Sequence, residues 1–179
     1  SIPIIPLQID MGNLPMAAYE NSLFTIDPWS GFPYELNQIT SAFDTNKATG
    51  IVSLSGDHHM HGAGEISINQ KDQASKTVCL DFSVAGISST PLFKTLASRV
   101  NDSHSTFKPL VFSKKSGNEQ VTWNMTMTEG VLASFFYDLT GLEMLSRWLG
   151  PNKANKGLKY IDSDSNGYGL ATFSSQKMD

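Results

Sequence analysis

The sequence predicts an α/β chain, an α+β mixed sheet packed with helices. Three observations carry that expectation. Leu36, Ile39 and Phe43 recur at helical spacing and lead into the apolar run Ile51-Val52-Ser53-Leu54; helix then strand is half of a βαβ unit and implies another strand before the helix. Two strand-like stretches with a polar turn between them follow, at 65–69 and 76–84, the pattern of an antiparallel hairpin. Val131, Leu132, Phe135, Phe136 and Leu139 then return to helical spacing, so helices and strands interleave along the chain.

Composition narrows the classes. The chain has 179 residues, enough for one domain or one large piece of a bigger one. It is 40% hydrophobic and 17% charged, so it can bury a sizeable core. The net charge of −4 is spread without long runs of one sign, which argues against a nucleic-acid-binding patch. No apolar stretch approaches the roughly 18 residues of a membrane span, and no signal peptide opens the sequence. The chain begins at Ser1 without methionine, so it reads as processed or as a piece of something longer. A single cysteine, Cys79, excludes an intramolecular disulfide; its apolar neighbours Val78 and Leu80 suggest a buried, inert thiol.

In chain order, Pro3, Pro6, Pro15, Pro28 and Pro33 make residues 1–32 an irregular lead-in with a short strand over 4–9, since proline removes an amide donor and breaks regular structure. Such a lead-in is uncommon unless it is functional or separated from its context. The core is expected over 33–175. Pro33 suits a first helical turn, and the 46–50 stretch ends that helix before a buried strand over 51–55. Thr90-Pro91 reads as a cap and first turn for a helix carrying Leu92, Leu96 and Val100. A strand is expected over 108–113, and alternation of Val121, Trp123, Met125 and Met127 predicts another. Thr140 and Glu143 form a possible capping box, Gly150-Pro151 stops that helix, and 158–161 with 168–173 reads as a terminal hairpin.

The chemistry concentrates in Leu54-Ser55-Gly56-Asp57-His58-His59-Met60-His61-Gly62, which holds three of the four histidines. It follows a strand, and in sheets flanked by helices ligands bind beyond the carboxyl ends of strands. In an extended loop residues two apart face the same way, so Asp57, His59 and His61 would point together. Carboxylate and imidazole are a common ligand set for zinc, iron or manganese, and Gly56, Gly62 and Gly64 permit close backbone approach. His104, alone in Asp102-Ser103-His104-Ser105, reads as a surface residue. Two ligands from one loop do not complete a site; the acids nearest in sequence are Asp10, Asp27, Glu35 and Glu65.

Leu54-Ser55-Gly56-Asp57-His58-His59 resembles the Leu-Ser-Gly-Asp-x-His motif of alkaline phosphatase D (PhoD-like) metallophosphoesterases, within the calcineurin-like superfamily. Asp27-Pro28-Trp29-Ser30-Gly31-Phe32-Pro33 is similar to that family's Trp-Asp-Gly-Tyr-Pro segment, with Ser30 and Phe32 departing from it. Asp81-Phe82 through Gly86-Ile87-Ser88-Ser89 resembles its Glu-Phe strand and Ser-Ile-Ser-Ser ending, and Lys159-Tyr160-Ile161-Asp162 with Gly167-Tyr168-Gly169 its C-terminal hairpin. Four matches in order cover most of 27–175.

The resemblance implies half of a four-layer α/β/β/α sandwich that hydrolyses phosphate mono- or diesters at a two-metal site, with Fe, Zn, Mn or Ca as candidate ions. It implies Asp57 and His59 as catalytic metal ligands, and Asp27, Trp29, His58 and His61 as substrate-binding residues. The family's earlier metal motifs do not occur in this chain, so the expected partner is a missing N-terminal half. A secreted or periplasmic location is implied as well. Two other readings compete. His59-Met60-His61-Gly62-Ala63-Gly64-Glu65 fits the His-x-His-x3-Glu spacing of a cupin-like single-metal β-barrel, although His104 lacks that fold's later motif. A non-catalytic interaction domain is the third.

Overall fold

The computed structural model describes residues 2–9, 22–23, 28–69, 74–103, 105–115, 118–149 and 155–174. Asp10, Asp27 and His104 lie outside them. The main sheet has four strands: β3 (Val52–Ser55), β4 (His61–Ser67), β5 (Thr77–Ser83) and β8 (Leu158–Asp162), in the order β3-β5-β4-β8. β3 runs parallel to β5, while β4 pairs antiparallel with both β5 and β8. Two short ladders lie outside it, β1 (Gln8–Ile9) with β2 (Ser22–Leu23) and β6 (Phe112–Lys115) with β7 (Asn118–Val121). The helices are α1 (Pro33–Thr45), α2 (Leu92–Ser103), α3 (Lys108–Val111), α4 (Trp123–Glu129), α5 (Val131–Thr140) and α6 (Glu143–Leu149).

This is a mixed α/β architecture with a mixed sheet. Among the described residues the sheet is open, β3-β5-β4-β8, rather than the closed barrel of the cupin-like reading. The strand expected before α1 is β2, and it pairs with β1 rather than with β3. Among the described residues β3 is an edge strand, and Leu54 is 53% exposed; the buried strand expected at 51–55 is corrected accordingly.

Pleating gives the sheet two unlike faces. On the inner face Ile66, Cys79, Asp81 and Ile161 are buried against the helices. Burial pushes the Cys79 thiol up, and nearby Asp81 adds to the rise. On the outer face Leu54, Leu80 and Tyr160 are exposed. The 168–173 stretch forms no strand with β8. Instead residues 165–171 form a strap that lines a groove with the outer face.

Within the lead-in, the described residues 2–9 pack into the core. Pro3, Ile5 and Leu7 alternate inward, and Leu7 is fully buried. The Ile5 N–H donates to Asp81 Oδ2 at 3.1 Å. Gln8 and Asn155 exchange two hydrogen bonds, Gln8 N–H to Asn155 Oδ1 at 2.8 Å and Asn155 Nδ2 to Gln8 O at 3.0 Å. These bonds satisfy backbone groups at Ile5 and Gln8 that would otherwise be buried without partners.

Two predicted strands are helices. α3 replaces the start of the strand expected at 108–113, and α4 replaces the one expected at 121–127. In α4 Trp123, Met125, Thr126 and Met127 are all buried, so alternating hydrophobicity records full burial rather than a pleat. Its hydroxyls are satisfied internally, as Thr126 Oγ1 donates to Leu110 O at 2.7 Å. Thr140 does not cap α6; it ends α5, where Gly141 adopts φ 71°, the left-handed close typical of helix ends. Among the described residues no helix is long and apolar enough to cross a membrane.

Candidate functional site

Topology builds the site. After β3 the chain must pass over the end of β5 to reach β4, two strand spacings away, roughly 10 Å. Residues 56–60 make that crossing, so they sit beyond the carboxyl ends of the two parallel strands. The turn is tight, with His58 N–H donating to Gly56 O at 2.9 Å. Met60 is buried and pins its far end into the core.

The turn is not extended. Asp57 has φ 72° and His59 φ 53°, the left-handed region that side chains other than glycine seldom occupy. The expectation that alternate residues share a face therefore does not hold. Such conformations cost on the order of 1–3 kcal/mol each and cluster at functional sites.

His59 is held at two points. Its Nδ1–H donates to Thr90 O at 2.8 Å, and its carbonyl accepts from Leu92 N–H at 2.9 Å. A carbonyl can only accept, so Nδ1 carries a proton, and in the neutral ring Nε2 keeps its lone pair. A ring nitrogen fixed by a backbone carbonyl is the usual support of a metal-binding histidine. Asp57 and His59 are both exposed, while His58 is half-buried. Burial lowers the His58 pKa; Asp57 and Asp81 pull it upward without overcoming that effect.

His61 opens β4 and faces Asp162 across the ladder with β8. Ala85 N–H reaches its Nδ1 at 3.5 Å. A Cβ on Gly167 would stand 3.1 Å from both Cε1 and Nε2 of His61, so the strap lies close against that ring. Asp162 Oδ1 accepts from Asp164 N–H at 3.0 Å and Ser165 N–H at 3.2 Å. Burial pushes the Asp162 carboxyl up, but the Ser165 hydroxyl, the two amides and His61 outweigh it, and its pKa is lowered. A carboxyl with a lower pKa folded than unfolded binds fewer protons in the folded state. Its stabilisation is therefore full at neutral pH and is lost as pH falls through about 4 and below. Asp162→Asn should flatten the acid limb of a urea-stability profile; equal destabilisation of the variant at neutral and acid pH would refute this.

The predicted site residues fall into three places. Asp57, His58 and His59 form the turn. His61 lies at the polar end of a groove of about 790 Å³ with Asp162 and Asn166, whose apolar wall includes Phe82 and Tyr168. Trp29 lines a separate groove of about 680 Å³ with Ile4, Phe32 and Leu54. Asp27 is outside the described residues. As a test of metal fit, the ring of His59 and the carboxylate of Asp57 are each a donor type that metals take, on one turn. Among the described residues no group of three or more His, Cys, Asp or Glu side chains could hold a metal ion.

Residues that sequence reasoning passed over are Thr90, Asp162, Asn166 and Gly167. The 86–89 and 167–169 segments stood out as motifs and Thr90-Pro91 as a helix cap, yet nothing local signalled that they meet the histidine turn.

A family model described as PhoD-like phosphatase matches residues 3–134. No curated protein matches the chain. A solved structure described as "Structure of PhoD" is 22% identical with a TM-score of 0.36, and the match covers 41% of this chain and 14% of that one.

Proposed function

The chain belongs to the PhoD-like phosphatase family, and on that premise we propose that it supplies part of the active site of a metal-dependent hydrolase of phosphate mono- or diesters. The observation that carries the reading is His59, strained at φ 53° and fixed through Nδ1 to Thr90 O, so that Nε2 is left as a donor. Asp57 and His59 hold metal. His58, His61 and Trp29 border the substrate. Bound metal ions supply a nucleophile at neutral pH and stabilise charge developing on phosphorus.

In this reading the chain is one half of a four-layer α/β/β/α sandwich. The exposed outer face, with Leu54, Leu80 and Tyr160, supports it, because a sheet flanked by helices on one side covers its other face with a second layer. The remaining ligands then come from preceding sequence that completes the fold.

The test is hydrolysis of p-nitrophenyl phosphate and bis(p-nitrophenyl) phosphate by the completed enzyme, before and after removal of metal by EDTA. Loss of both activities on chelation, with recovery on adding back a divalent ion, is expected. Hydrolysis that survives chelation would overturn the metal-dependent reading, and no hydrolysis with any metal would favour the interaction domain.

A further inference from the structure

We propose that Asn166 is a positioning residue for His59, acting through the loop that holds the imidazole. Its side-chain amide donates to two carbonyls of one loop, Gly86 O at 2.7 Å and Ser89 O at 2.6 Å. An amide nitrogen has two hydrogens, so both are used in clamping a segment with no regular structure. The next carbonyl along, Thr90 O, accepts the His59 ring N–H at 2.8 Å. The residue after Pro91 donates its amide back to His59 O. One side chain thus fixes the stretch that decides which His59 nitrogen carries the proton and where the ring points.

Asn166 is itself held firmly. Three residues earlier Ser163 is fully buried. Its hydroxyl donates to Asn124 Oδ1 at 2.7 Å, and its carbonyl accepts from Phe93 N–H at 2.9 Å. Asp162 Oδ1 caps the intervening turn. The strap therefore carries the rigidity of α2 and α4 out to the loop. Without the clamp, Gly86 and the exposed Ile87 and Ser88 leave the loop free to exchange its carbonyl bonds with water. His59 would then lose its fixed acceptor.

The positioning claim rests on the proposed function only in giving His59 a metal to bind, and the test separates the two. Imidazole nitrogen shifts of His59 and exchange protection of the Leu92 amide are measured by NMR on the full metal-free chain at about pH 8, where histidine is neutral. Zn²⁺ alone is then titrated by calorimetry. The wild-type chain should hold His59 in the Nδ1–H form. Asn166→Ala should shift the tautomer ratio toward Nε2–H and reduce Leu92 protection, each by roughly five-fold, the scale of one neutral hydrogen bond. Zn²⁺ affinity should fall about 10- to 100-fold, as for other groups that orient a ligand. Asn166→Ser keeps one donor and should fall between; it carries the same reading if the alanine variant does not fold. An unchanged His59 tautomer and unchanged Leu92 protection overturn the positioning role. A shifted tautomer with unchanged Zn²⁺ affinity leaves that role standing and removes His59 as a ligand.

Discussion

His59→Gly is expected to lower kcat/KM for phosphate-ester hydrolysis by more than about 100-fold without lowering the stability of the fold. The two halves of that result have separate causes. Residues that merely orient a metal ligand cost about 10- to 100-fold when lost, so removing the ligand itself should exceed that range. Stability is a balance. The variant loses the 2.8 Å bond to Thr90 O, a net cost of about 0.5–1.5 kcal/mol. It also releases a left-handed backbone at φ 53°, which costs a side-chain-bearing residue roughly 1–2 kcal/mol and glycine very little. Strain kept at a residue whose removal does not weaken the fold is the signature of a site held for function. Activity assays and urea denaturation on the same variant test it. A marked loss of stability with retained activity would make His59 a structural residue instead.

Leu7→Ala should destabilise the chain by about 2–5 kcal/mol, the range for emptying a buried leucine site. For a chain of this size that corresponds to a fall in Tm of roughly 4–20 °C. Leu7 is fully buried although it lies between prolines in a segment with almost no regular structure. Leu170, 83% exposed on the strap, is the control, and Leu170→Ala should stay within about 0.5 kcal/mol. Similar thermal unfolding of the two variants would show that residues 2–9 are not part of the core.

Leu7 marks where sequence reasoning stops. The lead-in reads as irregular because proline punctuates it, yet Leu7 within it is buried. Its burial depends on Asp81 and Asn155, residues far away in the chain whose side chains take up its amides and carbonyls. By contrast α1, α2, α5 and β5 were legible, since each sets apolar positions at the period of its own geometry; β4 was read only over 65–67, because its opening His61-Gly62-Ala63-Gly64 looks like loop. α4 was misread because a short helix buried nearly all round carries no orienting period.

The candidate site divides in the same way. The glycine, aspartate and histidines after an apolar run marked the turn and the resemblance it bears. The left-handed backbone at Asp57 and His59 could not be read there, because it follows from crossing over β5, and strand order is a tertiary property. The grip of Thr90 on His59, and of Asn166 on the Thr90 loop, joins segments that only the fold brings together.

The most direct measurement compares hydrolysis of bis(p-nitrophenyl) phosphate by this chain alone with hydrolysis by the same chain joined to the proposed N-terminal half, both saturated with divalent metal. Asp57 and His59 as one wall of a shared site predict turnover only in the joined protein, and its loss on His59→Gly. Equal turnover by the chain alone would contradict that account.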